Sequence, residues 1–327
     1  MGVRLEPVDE YTHQPSADAT FNESMYFNVY DPAAGIGGFF RIGNRVNEAM
    51  AEVTVCLYLG DGRVGFTFGR PRIETNDAFD AGGMRFDVVE PFESLTVTYS
   101  GQVTMLDDPL EMADPKAAFL SNPRVDCEVA LRYTGVAPMF GGEPDDPDAM
   151  GQSFAKAHYE QLVAAEGTIT VAGVTHAIDG FGLRDHSWGP RSWQAPWYYR
   201  WLTGNVDAGF GFMASRVAAA EGRGTRGGFV WDGGVLHLCD RCEIDTTWTD
   251  EGEYHQTVAF TLFSGERSWS VKGSVLSLVP LRNRRDGRVT RISEGMTRWE
   301  LGDGRVGYGL SEYLDQIVDG QPVGLAE

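Results

Sequence analysis

Short runs in which β-branched and aromatic side chains alternate with polar ones recur along the chain, and Gly, Asp, Asn and Pro separate them. A period of two places alternate side chains on opposite faces of a strand. The runs 52–59, 63–68, 84–89, 95–105, 127–133, 167–171, 210–217, 228–231, 257–263 and 268–278 therefore predict strands. Helical spacing is scarce. Ala157, Leu162 and Ala165 share one face of an expected helix over 154–165, and a shorter helical turn is expected near 115–120. The pattern predicts an all-β protein with one or two short helices, and the 41 glycines suit its many tight turns.

The hexamer Gly-Asp-Gly-Arg-Val-Gly occurs at 60–65 and again at 302–307, each time after a leucine and before an aromatic residue. It matches the glycine spacing of a dinucleotide fingerprint, but that motif must open a helix after a strand. Both copies here lead into another strand, so Asp-Gly reads as a hairpin turn. The echo near each end fits two β-domains of similar build, expected at 1–165 and 166–327. An acidic run at Glu143, Asp145, Asp146 and Asp148 reads as a solvated loop near that boundary.

Charge narrows the partners. With 47 acidic and 27 basic residues the formal charge is −20, which opposes phosphate backbones, so no nucleic-acid partner is expected. The N-terminal residues lack the basic start and apolar core of an export signal, and no apolar run reaches the length of a spanning helix. A cytoplasmic protein without a membrane span is the expectation, and the sequence leaves homo-oligomerisation open. Cys56, Cys127, Cys239 and Cys242 fit reduced thiols, and a lone C-x-x-C at 239–242 supplies half the ligands of a structural zinc site. The six histidines show no metal-binding spacing. Neither a metal nor a cofactor is expected.

The densest chemistry lies between Arg184 and Trp201, where Asp185 and His186 stand among Trp188, Trp193, Trp197, Tyr198, Tyr199 and Trp201. Large rings beside titratable groups suit proton transfer to an apolar small molecule, because aromatic faces bury hydrocarbon and stabilise cationic charge. A core strand whose polar groups pair with one another is the alternative. Adjacent strand residues face opposite ways, so Asp185 and His186 should not enter one cavity, and Trp188 should follow His186. Asp185 would then pair with Arg184 or Arg191. A second polar group comprises Asn22, Glu23, Tyr26, Asn28 and Asp31 with Arg41, Asn44, Arg45 and Asn47, for which backbone capping is the simpler expectation. Glu312 could complete the site or simply end a surface strand.

The element 182–191, Gly-Leu-Arg-Asp-His-Ser-Trp-Gly-Pro-Arg, between two β-rich halves, resembles the two-domain lipocalin-like superfamily of carotenoid 1,2-hydratases and AttH-like proteins, as do the stretches 22–48 and 307–313. The resemblance covers nearly the whole chain. It implies two lipocalin-like β-barrel or sandwich domains packed together, an apolar pocket and cofactor-free chemistry. His186 and Trp188 match the hydratase His and Trp. The Tyr and Asp that hydratases carry two apart on a following strand have no counterpart around Phe210, Phe212 and Met213, which would line the substrate instead. Asp185, Glu23 or Tyr26 would then supply the missing acid. The implied activity is a hydratase or dehydratase acting on a terpenoid alcohol or alkene, including a linalool-type tertiary alcohol. An isomerase or cyclase, or a hydrophobic-ligand carrier, is the alternative.

Overall fold

The computed structural model describes residues 3–144, 157–220, 224–249 and 253–325. All of the predicted runs form strands, most of which extend a few residues further, while Leu59 and Arg63 fall just outside theirs. The helix Pro115–Ser121 also forms where a helical turn is expected. By internal contacts the chain divides into one unit of Met1–Asp108 with Phe119–Ser192 and a second of Pro109–Ala118 with Trp193–Glu327.

In the first unit, eight strands succeed one another round a closed antiparallel circuit. Ala157–Val171, Val174–Pro190, Phe21–Asp31, Ile36–Arg45, Met50–Tyr58, Val64–Gly69, Ser94–Leu106 and Arg124–Gly135 are the members, and the last pairs back onto the first. A barrel of this strand number is just wide enough to be filled by side chains. Here Met25, Phe27, Val29, Phe40, Ile42, Val55, Leu57, Val97, Tyr133 and Val163 fill it. The second unit is one curled antiparallel sheet, running from Val235–Cys239 through Tyr198–Asp207 and Val306–Val318 to Arg241–Trp248. It wraps a core that includes Phe210, Phe212, Phe260, Trp299 and Tyr313.

The structure corrects two expectations. Residues 157–165 are not helical but belong to the strand Ala157–Val171. Their helical apolar face loses to fifteen-residue pairing with Val174–Pro190, which satisfies backbone groups along the whole segment. The acidic residues at 145–148, and 154–156, lie outside the described residues. The unit boundary also falls at Ser192 rather than near 165, because Val174–Pro190 is hydrogen-bonded between two strands of the first barrel. The Asp-His-Ser-Trp-Gly element therefore belongs to the N-terminal unit.

Both hexamers are hairpin turns with the same bonding. Gly62 N–H donates to Leu59 O and Leu59 N–H to Arg63 O, while Gly304 N–H donates to Leu301 O and Leu301 N–H to Arg305 O. Gly62 and Gly304 have φ of 90° and 89°, values open to glycine without strain.

Close strand approach also depends on Gly182. A Cβ there would lie 1.9 Å from the Asn28 carbonyl oxygen, in backbone that cannot yield. Gly182→Ala should therefore destabilise the protein by about 1–3 kcal/mol, as overpacking does. Urea unfolding checks this, and an unchanged midpoint would remove the steric role given to this glycine.

Candidate active site

Along Val174–Pro190, alternation turns Arg184, His186 and Trp188 into the first barrel and Asp185, Ser187 and Gly189 to its outer face. The same rule divides the four residues expected to be catalytic. Glu23 lies opposite Trp188 and points inward with His186, whereas Tyr26 lies opposite Asp185 on the outer face.

The inward group is continuous. His186 Nε2 lies 3.1 Å from Glu23 Oε1, and its Nδ1 lies 3.3 Å from the Tyr159 hydroxyl. Tyr159 donates to Glu10 Oε1 at 2.6 Å, and Arg184 grips both Glu10 oxygens at 2.6 and 2.9 Å. Gln161 Oε1 accepts from Arg184 Nε, completing its fork. From the N-terminal segment, His13 Nδ1 meets Glu23 Oε1 at 2.6 Å, and its ring stacks on Trp188 with centroids 4.0 Å apart. Glu10, Glu23, Arg184 and His186 are all 0% exposed, so these four side chains have no face open to a substrate.

Charge inside this group is fixed by partners. Burial pushes the Glu23 carboxyl up, but hydrogen bonds from His13 and His186 outweigh it and hold the group at about 2. Burial likewise opposes ionisation of Glu10, and the Arg184 charge overcomes it to leave Glu10 below the ordinary carboxylate value. Tyr159 is raised well above 10 by burial and keeps its proton. The polar-pairing alternative thus describes Arg184 and His186 closely.

On the outer face the partner of Asp185 is His158, reached by its Nε2, and Glu160 Oε1 lies 3.3 Å from the same nitrogen. Burial lowers the affinity of His158 for its proton, but the charge and hydrogen bond of Asp185, with Glu160, raise its pKa to about 10. Asp185 is lowered: burial works against its charge, and His158 and then Arg191 more than compensate. His158 keeps 33% of its side chain exposed and Asp185 15%, so this pair is reachable. Between His158 and Glu52 the cross-strand row is Ser187, Ser24 and Gly43, a floor of small residues. The neighbouring row carries Glu160, Asp185, Tyr26 and Arg41.

Two groups, His13/Glu23/His186 and His158/Glu160/Asp185, bring three ligand-type atoms within 4.8 Å of one another. Histidine spacing did not reveal them, because in each group carboxylates complete the set and at least one member comes from a separate segment or strand. As placed they are hydrogen-bonded pairs: 2.6 Å between His13 and Glu23 is shorter than the roughly 3.3 Å that separates two ligands of a tetrahedral ion.

Of the second polar group, Asp31 caps Ala33, Ala34 and Asp179 N–H groups, Asn28 accepts from Leu183 N–H, and Asn47 donates to the Ser16 and Asp18 carbonyls. The remaining expected substrate contacts belong to the second unit and divide between faces. Phe210 and Phe212 pack in its core, and Tyr198 lies on that side with its ring 4.9 Å from the Arg200 guanidinium carbon. Tyr199, Trp201 and Met213 share the opposite face, where Tyr199 donates to Glu312. Trp193 and Trp197 lie in the segment before Tyr198–Asp207, held by hydrogen bonds from Thr290 and Gln316 to their carbonyls. Sequence reasoning missed Glu10, His13, His158, Tyr159 and Glu160. Of these, 158–160 were read as helix, and the polar, proline-bounded start carried no alternation to reveal an inward turn.

Comparison with solved structures gives the fold its class. An AttH-like protein from Nitrosomonas europaea matches with a TM-score of 0.57 at 13% identity, over 91% of this chain and 94% of that one. CghA with Sch210972 matches at 0.59 and 12% identity, over 98% and 97%, and kievitone hydratase from Nectria haematococca at 0.58 and 12%, over 95% and 93%. The chain shares the two-part β fold of these structures. A family model described as a domain of unknown function (DUF7064) matches residues 6–317, and the chain belongs to that family. No curated protein matches it. Among the described residues no helix is long and apolar enough to cross a membrane.

The buried Glu10–Arg184 pair yields a stability test. Glu10→Gln should cost roughly 3–5 kcal/mol by leaving a guanidinium buried without its counter-charge, and Glu10→Gln with Arg184→Met should recover much of that loss. Denaturant titration of the single and double variants checks it; equal losses in both would deny the pair its role. Glu23 adds a pH signature. Its folded pKa is depressed from 4.5 to about 2, so its contribution is complete above 4.5 and disappears as pH falls through 2. Glu23→Gln should flatten stability against pH in that window.

Proposed function

We propose that the protein is a cofactor-independent hydro-lyase acting on an apolar terpenoid alcohol or alkene, and that His158 and Asp185 are its proton-transfer pair. The observation that carries this reading is the contrast between the strand's two faces. His186 is sealed, whereas the charged His158–Asp185 pair keeps access to solvent beside a floor of serines and glycine. A proton donor must come within hydrogen-bond reach of its target.

In dehydration, the His158 imidazolium protonates the leaving hydroxyl, and the C–O bond breaks to release water and a carbocation. Asp185 then removes a proton from the neighbouring carbon, whose C–H electrons form the alkene. The direct Asp185–His158 hydrogen bond returns that proton to the imidazole, which restores both groups. Hydration is the reverse sequence. Tyr26, opposite Asp185, is the ring positioned to stabilise the cation, by roughly 0.5–2 kcal/mol. Trp188, expected in that role, stacks on His13 inside the barrel. The name of kievitone hydratase, at 12% identity, supports water addition or removal as chemistry this fold can host.

Purified protein incubated with a panel of terpenols and alkenes tests the reading. His158→Gln and Asp185→Asn should each reduce turnover by ~10² to ~10⁴-fold with the fold intact. The ion-paired form exists above the lowered pKa of Asp185 and below about 10, the value for His158. Turnover should therefore stay level through neutral pH and fall as pH rises through about 10. Wild-type rates in both variants would refute the assignment, a profile with no alkaline limb would favour an isomerase that only shapes its substrate, and no turnover of any substrate would favour a carrier.

A further inference from the structure

We propose that the corner of the outer face formed by Asn22, Ser24, Gly43 and Arg41 is a subsite for a carboxylate group on the ligand. The inference rests on the reading that substrate meets this face, and it adds a substrate class: an apolar molecule bearing an acid.

Asn22 and Ser24 are each 1% exposed. Neither the amide nitrogen nor the amide oxygen of Asn22 has a hydrogen-bond partner, and the Ser24 hydroxyl has none either. Burying a polar group unsatisfied costs about 1–3 kcal/mol, so three such atoms on one patch mark a place built for an incoming polar group. They surround the glycine. A Cβ on Gly43 would lie 2.6 Å from Arg41 Nη2 and 3.0 Å from Asn22 Oδ1, so only the absence of a side chain lets the guanidinium and the amide converge there.

The sign of the local charge points to an anion. One carboxylate, Glu52, faces Arg41 and Arg45 at 3.6 Å and Arg70 at 3.2 Å, and Arg45 is further engaged by Glu48 at 2.8 Å. Arg191 reaches over the same floor to the Ser187 hydroxyl at 3.1 Å. Burial, and next to it the nearby Arg191 and Arg45 charges, lower the Arg41 guanidinium to about 10 despite the counter-charges of Glu52 and Asp185. In a chain of formal charge −20, this corner gathers four arginines, Arg41, Arg45, Arg70 and Arg191. A monoanion suits it better than a phosphate, because Glu52 and Asp185 border the corner and repel a dianion more strongly. A carboxylate also matches the planar guanidinium fork, with the Asn22 amide and Ser24 hydroxyl as further donors.

Isothermal titration calorimetry with geranic acid and geraniol, which share a carbon skeleton, tests the proposal without requiring turnover. The wild type should bind the acid at least about tenfold more tightly than the alcohol, a difference of roughly 1.4 kcal/mol. Arg41→Gln should abolish the preference, and so should Gly43→Ala, which fills the corner without removing a charge and serves if the arginine variant does not fold. Asp185→Asn should keep acid binding, so that failure of the hydro-lyase reading and failure of this subsite are told apart. Equal binding of acid and alcohol by the wild type, or a preference that survives in both variants, would overturn the subsite. Displacement of geranic acid by an equal concentration of inorganic phosphate would overturn the choice of carboxylate.

Discussion

A fully buried guanidinium organises the first barrel. Arg184 sits on the strand Val174–Pro190 with no exposed surface, and a cation so placed requires a counter-charge and partners for its donors. Glu10 supplies the charge, and Gln161 takes the remaining bond of the fork. Meeting that requirement draws the segment before Phe21–Asp31 into the barrel, since Glu10 lies on the short turn Pro7–Glu10. Glu10 also accepts from Phe92 N–H, and Gln161 donates to the Phe92 and Ala137 carbonyls, so one ion pair fastens three stretches of chain.

The outer face inherits its order from this interior. Arg184, His186 and Trp188 are fixed by their partners, so the strand cannot rotate or slip by a residue, and Asp185 and Ser187 must face outward. The two proton systems of the strand are thereby kept apart. One is sealed and serves to hold the N-terminal segment; the other, His158 with Asp185, retains solvent access and a floor of small side chains. A shared backbone makes them neighbours in sequence and chemically unlike.

Much of this was legible in the chain. Alternation located ten strand segments but not Phe21–Asp31, Ile36–Arg45, Val174–Pro190 or Val306–Val318, and the repeated Asp-Gly turn was correctly separated from a nucleotide motif because each copy leads into a strand rather than a helix. The strand rule alone put His186 and Trp188 on one side and Asp185 on the other. Over 157–165 the expected helix failed for a definite reason: alanines at helical spacing carry a weak preference that strand pairing overrides, and that error concealed His158, Tyr159 and Glu160.

By itself the sequence determined the all-β class, the turns and the facing of each side chain along a strand, because these arise from backbone geometry and local composition. Only the tertiary structure decided which strands lie side by side. Barrel closure brings Ala157–Val171 and Phe21–Asp31 to opposite edges of Val174–Pro190, and through that pairing His158 meets Asp185 and Glu23 meets His186. Those contacts join residues more than a hundred positions apart in one case and a strand hairpin apart in the other. The hairpin register follows from the two-residue turn Ala172–Gly173, whereas no local signal encodes the meeting of Glu23 with His186, whose register is selected by energy summed over the whole buried core.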